Sequence, residues 1–209
     1  MWVVKNILKF FLKKLKLYKT FLWFKYVYLR KKVPDSPSAS LWKVELIKKI
    51  AKQKNFKIFV ETGTYLGDTI DQIKYEFREI FSIEIDKKLA DYAAKRFRSF
   101  KHIKIINGDS RLELPKIIEN INEPILFWLD AHYSGGITAK SDKNPLLYEL
   151  EYILDNWKCG SLILIDDVRL FGTDEWPTMD EIKNLISKFN SRFKTVIINN
   201  DILKIEEIH

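Results

Sequence analysis

The stretch Ile58-Phe59-Val60-Glu61-Thr62-Gly63-Thr64-Tyr65-Leu66-Gly67-Asp68-Thr69 limits the fold more tightly than any other part of the chain. An apolar run of strand character ends in a carboxylate, passes through two glycines four positions apart, and enters a segment that opens with Asp-Thr and then reads as helix. Glycine lets the backbone bend sharply and approach a ligand with no Cβ in the way, and a helix N-terminus just beyond offers unpaired N–H groups. The turn is therefore of a nucleotide-binding kind, and its spacing sorts the types. A P-loop ends in Gly-Lys-Ser/Thr, and Leu66-Gly67-Asp68 has no such lysine. A dinucleotide fingerprint requires G-x-G-x-x-G, of which only two glycines can be matched. That disfavours a nicotinamide-dependent oxidoreductase.

What remains is acid-x-Gly-x-x-x-Gly, and on these residues the chain resembles the class I S-adenosylmethionine-dependent methyltransferases. The resemblance implies that Glu61, Thr62, Gly63, Tyr65, Gly67 and Thr69 hold the amino acid part and ribose of the methyl donor. Downstream, strands and helices alternate, the signature of an α/β parallel sheet. Strand 56–61 precedes helix 68–78, strand 80–85 helix 87–98, strand 103–107 helix 110–121, strand 125–129 helix 145–156, and strand 161–165 helix 178–190. Strands 195–199 and 202–205, joined at Asn200-Asp201, close the pattern as an antiparallel edge. The expected fold is a Rossmann-like, doubly wound, seven-stranded sheet, with ligands outside the carboxyl ends of its strands.

Polar residues gather at those ends. Glu84 closes the second strand about twenty residues after the glycine turn, where a carboxylate can accept hydrogen bonds from two ribose hydroxyls. Asp86 suits the cap of the next helix. Asp109 and Ser110 follow the third strand; they resemble the family position that receives the adenine amino group, and both are also favoured helix caps. The fourth strand ends Trp128-Leu129-Asp130-Ala131-His132-Tyr133-Ser134-Gly135-Gly136, and the fifth ends Asp166-Asp167-Val168-Arg169. Neighbouring buried carboxylates need a cation. Oxygen ligands in this number suit a hard divalent ion such as Mg2+.

Asp130, Asp166 and Asp167 resemble the metal site of macrocin-type and mycinamicin-type sugar O-methyltransferases. The run from Trp128 to Ala139 is also similar to small bacterial methyltransferases of surface-polysaccharide synthesis. The likeness covers residues 41–209 and departs from the macrocin type at Arg169, which could neutralise Asp167 without a metal. It implies O-methylation of a glycan or glycolipid hydroxyl or phosphate, with Asp130 both at the donor and in catalysis. His132 is the candidate general base, since imidazole titrates near neutral pH. Loops 138–145 and 171–177 have the length of segments that close over substrate. A membrane-tethered partner domain that keeps the fold without catalysis stays an alternative, because fold does not prove activity, and so does an RNA methyltransferase, which predicts binding that weakens steeply with salt.

Residues 1–33 hold ten of the 36 Lys and Arg and no Asp or Glu, which leaves 26 basic against 28 acidic groups in the other 176 residues. The excess positive charge is therefore all N-terminal. Lysines interrupt Trp, Phe and Leu throughout, so no uncharged window spans a bilayer, and no cleavage site marks a signal peptide. Such a segment suits an amphipathic helix in the interface of an anionic membrane, on the cytoplasmic face, or a helix packed on its own domain or a partner chain. Nucleic acid is disfavoured, because the remaining chain adds no basic footprint. A homo-oligomer stays open. Pro34-Asp35-Ser36-Pro37-Ser38-Ala39-Ser40 reads as a linker, and the lone Cys159 permits no internal disulfide.

Overall fold

The computed structural model describes residues 40–130, 145–173, 176–189 and 191–208. By contact the chain divides into residues 1–49 and 50–209. Of the first unit only residues 40–49 are described; they begin helix α1 (Ser40–Lys54). The amphipathic segment 1–33 and the linker up to residue 39 lie outside the described residues. No described helix is long and apolar enough to cross a membrane.

The alternation expected from the sequence is present. In order come β1 (Ile58–Thr62), α2 (Asp68–Ile73), β2 (Glu79–Glu84), α3 (Lys87–Phe97), β3 (Ile103–Asn107), α4 (Ser110–Glu119) and β4 (Ile125–Leu129). Then follow α5 (Leu146–Asp155), β5 (Leu162–Ile165), a 3-10 turn at Val168–Leu170, α6 (Met179–Ser187), β6 (Phe193–Ile198) and β7 (Ile202–Glu207). Helix α2 ends at Ile73, short of the expected residue 78. The chain turns at Glu76, whose N–H donates to the Ile73 carbonyl at 2.8 Å, and Arg78 N–H then reaches the Lys57 carbonyl at 2.8 Å to start β2. Strand pairing here overrides helical periodicity.

The seven strands run in the order β3-β2-β1-β4-β5-β7-β6. The first five are parallel; β7 is antiparallel to β5 and β6 to β7. The β6–β7 turn is tight because Asn199 and Asn200 both take left-handed backbone, φ +51° and +55°, the pattern asparagine tolerates in hairpins that follow strand twist. Every residue of β1, β4 and β5 is buried, as expected of parallel strands covered on both faces.

On one face Ile58, Val60, Phe127, Leu129, Ile163 and Ile165 pack with Leu114 and Ile118 of α4, Leu150 and Ile153 of α5, and Ile182 and Leu185 of α6. Each such side chain contributes about 2 kcal/mol by leaving water. The opposite face carries Phe59, whose ring lies 5.0 Å from that of Phe77. Asp86 caps α3 as expected, accepting from Lys88 N at 2.7 Å and Leu89 N at 3.0 Å. Strand order reverses between β1 and β4, which places the ends of β1, β2, β4 and β5 around one crevice.

Candidate active site

Beyond Thr62 the chain makes the glycine turn by entering left-handed backbone three times, at Gly63 (φ +87°), Tyr65 (+49°) and Gly67 (+71°). Gly63 N–H donates to the Ile83 carbonyl at 2.9 Å, prolonging the β1–β2 ladder, and Gly67 N–H donates to the Thr64 carbonyl at 2.8 Å. A Cβ at position 67 would stand 2.6 Å from Phe97 Cε2 in α3. The second glycine is thus required by close helix packing as well as by its backbone angle, a reason the sequence pattern did not supply.

Two carboxylates flank the loop. Glu61 and Ser82 occupy paired positions on β1 and β2, so their side chains share a sheet face. Ser82 Oγ donates to Glu61 Oε2 at 2.5 Å and lies 2.5 Å from Thr64 Oγ1. Glu61 is 1% exposed. Burial pushes its carboxyl up to about 8; the Ser82 hydrogen bond opposes the shift and the nearby Glu84 charge reinforces it. Glu84 ends β2 and accepts from Tyr65 N–H at 2.7 Å and Asp86 N–H at 2.9 Å, one at each oxygen. It fixes the loop and still has lone pairs for hydroxyl donors.

Thr62 points to the other face, where its Oγ1 donates to Glu149 Oε2 at 3.2 Å. Glu149 is fully buried in α5, and its Oε1 has no hydrogen-bond partner among the described residues. Burial pushes its carboxyl up to about 7, against hydrogen bonds from Ser110 and Thr62; the Asp109 charge raises it and Arg111 lowers it. Asp109 is the N-cap of α4, accepting from Arg111 N–H at 2.9 Å. It is also paired with the Arg111 guanidinium, whose hydrogen bonds hold its carboxyl below the ordinary range despite partial burial. Asp109 and Ser110 therefore stand at the head of α4 near the crevice, with the capping role realised. Thr69 lies in the first turn of α2, half-buried.

At the other side of the crevice, Asp130 N–H donates to the Thr62 carbonyl at 3.1 Å and Asp166 N–H to the Leu129 carbonyl at 3.0 Å, so both follow directly from the ladder. Asp167 takes left-handed backbone at φ +59°, and its N–H donates to Asp166 Oδ1 at 2.7 Å. Among the described residues, one group of carboxylates has oxygens within 4.8 Å of one another: Asp166, Asp167 and Asp201. Asp201 comes from the β6–β7 turn, which the sequence marks only as a turn. Arg169 Nη1 lies 2.8 Å from Asp167 Oδ1 and also pairs with Asp201, the neutralisation anticipated from its position. His132 and the rest of residues 131–144 lie outside the described residues, as do Asp174 and Glu175 of the 171–177 loop.

The sequence reading missed Glu149, Asp201 and Arg96, which reaches the glycine loop from α3. Only Glu149 carries a local signal: it shares the apolar helical face of Leu146, Leu150 and Ile153.

No protein-family model matches the chain. A probable ribosomal RNA small subunit methyltransferase A from Pyrococcus abyssi is 24% identical over 113 residues, half of this chain. The chain spans 39% of that relative's length. Among solved structures, the SAH-bound methyltransferase PaMTH1 of Podospora anserina superposes with a TM-score of 0.60 at 17% identity, over 90% of this chain and 88% of that one. The O-methyltransferase from Bacillus cereus in complex with SAH gives 0.57 at 16% identity, over 89% and 88%. TomG of Streptomyces achromogenes, an O-methyltransferase involved in tomaymycin synthesis and bound to SAM, gives 0.57 at 13% identity, over 78% of each chain. The chain shares the Rossmann-like fold of these methyltransferases.

Proposed function

We propose that the chain is an S-adenosylmethionine-dependent O-methyltransferase whose acceptor is a sugar hydroxyl or phosphate group of a surface glycan or its membrane-linked precursor. The observation that carries the reading is the glycine loop held between two buried carboxylates, Glu61 and Glu84, at the ends of adjacent parallel strands beside the reversal of strand order. The donor set fits the methyl donor: Glu84 would accept from the ribose hydroxyls without releasing Tyr65 or Asp86, Asp109 and Ser110 would meet the adenine edge, and Glu61 with Thr62, Gly63, Tyr65, Gly67 and Thr69 would line the amino acid end. The fold shared with SAM- and SAH-bound enzymes supports this; the Trp128–Ala139 resemblance and the basic amphipathic segment 1–33 support the glycan acceptor at a membrane surface.

Bound there, the donor supplies a methyl group activated on a sulfonium. The chain must align an acceptor oxygen and take up its proton. We assign the proton to an imidazole nitrogen of His132, two positions past Asp130. Asp166 and Asp167, together with Asp201 from the β6–β7 turn, offer converging hard oxygen donors that fit Mg2+, which would lower the acceptor hydroxyl's pKa; Asp130, expected beside them from the sequence, is not in that group. Arg169 brings positive charge to the same carboxylates from the protein itself.

Calorimetric titration of the full chain with S-adenosylhomocysteine and, separately, NAD tests the donor. Micromolar binding of the first and none of the second is expected; the reverse would sink the reading. His132→Ala should then abolish methyl transfer to glycan acceptors while leaving S-adenosylhomocysteine affinity unchanged. A second reading, RNA methylation, is favoured by the Pyrococcus abyssi relative. It requires RNA binding that weakens steeply with salt.

A further inference from the structure

Arg96, in the last turn of α3, lies 30 residues beyond Leu66, and no motif points to it. Its Nη1 donates to the Leu66 carbonyl at 2.6 Å and to Asp68 Oδ1 at 2.9 Å, while Nη2 lies 2.8 Å from Asp71 Oδ2. Asp71 also takes Lys74 Nζ at 2.7 Å. These groups are largely withdrawn from water, with 18% of the Arg96 side chain, 20% of Asp68 and 27% of Asp71 exposed. The next residue, Phe97, is the one that leaves no room for a Cβ at position 67. The last turn of α3 is thus the rear wall of the glycine loop.

The loop needs such a wall. Helix α2 has six residues, too few to sustain itself by helical cooperativity, and its cap residue, Gly67, has no side chain to offer. Tyr65 holds a backbone angle that a non-glycine residue seldom adopts. Two consecutive residues are tied to opposite sides: Tyr65 N–H to Glu84, and the Leu66 carbonyl to Arg96. We propose that Arg96 is a positioning residue for the methyl-donor loop, its planar fork joining the Leu66 carbonyl to Asp68 and Asp71 and so holding the loop in the shape the donor meets. The inference rests on reading this loop as the donor site. Lysine, a single ammonium, cannot span all three partners at once.

The test titrates S-adenosylhomocysteine into the full chain and into Arg96→Lys, Arg96→Leu and Thr178→Ala, with the unliganded thermal midpoint recorded for each. Thr178 belongs to the capping box of α6 and serves as a destabilised control away from the loop. Loss of the fork should leave the loop in its binding shape only a fraction of the time, weakening affinity about tenfold for Arg96→Leu, with Arg96→Lys between it and the parent. Thr178→Ala should lower the midpoint and leave affinity unchanged. Parental affinity in a folded Arg96→Leu overturns the inference; if that variant does not fold, parental affinity in Arg96→Lys overturns it. Affinity that tracks the midpoint across all three variants also overturns it. If the parent itself binds no S-adenosylhomocysteine, the donor reading fails and takes the inference with it; if the parent binds and the Arg96 variants bind equally, only the inference falls.

Discussion

Replacing Glu61 with Gln should stabilise the protein, and by an amount that depends on pH. In the folded chain the Glu61 carboxyl titrates at about 8, against 4.5 in the open chain. At pH 7 it is therefore mostly protonated when folded and ionised when unfolded. The native state binds the extra proton, so its stability falls as pH rises from 4.5 to 8 and levels off above. At pH 7 the penalty is 1.36 kcal/mol for each of 2.5 units, about 3 kcal/mol, and above pH 8 it reaches about 5 kcal/mol. Glutamine keeps an acceptor oxygen for Ser82 Oγ–H and removes the titration. Urea unfolding of parent and Glu61→Gln at pH 5, 7 and 8.5 reads the difference directly. The variant should gain little at pH 5, about 3 kcal/mol at pH 7 and more at 8.5. A difference that stays constant across the three pH values refutes the reasoning, since it would mean that Glu61 ionises alike in both states.

Glu149→Gln should show the same sign over a narrower range, because its carboxyl titrates at about 7: the gain grows from pH 4.5 and levels off beyond 7, measured by the same unfolding series. Gly67→Ala combines a left-handed backbone with a 2.6 Å approach to Phe97 Cε2, so the thermal midpoint should fall by several degrees and S-adenosylhomocysteine binding should drop below detection in calorimetry. Glu84→Ala removes the acceptor of both Tyr65 N–H and Asp86 N–H and should weaken S-adenosylhomocysteine by about a hundredfold or more, whereas Arg78→Ala, which breaks an exposed pair with Glu123, should leave affinity unchanged.

Much of this architecture is written locally. Strands 103–107 and 125–129 stand where their apolar runs place them, and the caps at Asp86 and Asp109 follow from residue type and position alone. The loop glycines and Glu84 are legible because a turn and a strand end leave short-range marks. Helix α2 is not, since a hydrogen bond to Lys57, outside its own sequence window, decides where it stops. Arg96 and Asp201 are invisible for the same reason: each acts on residues about thirty positions away, and nothing in their own neighbourhoods marks them. Glu149 was within reach, because a carboxylate on the apolar face of a helix must either be protonated or find donors, and here hydroxyls of Thr62 and Ser110 meet it.

The position of β7 has a consequence for how the molecule is made. It follows β6 in the chain yet lies between β5 and β6 in the sheet. A ribosome that has released everything through Ile198 holds a polypeptide whose β5 has an open hydrogen-bonding edge and whose β6 has no neighbour to pair with. Until Ile202–Glu207 emerges, that edge is a template for any other extended strand nearby. The strand that follows β6 in the chain is thus the one that closes the sheet, and until it arrives the open β5 edge is exposed to chaperones and to aggregation.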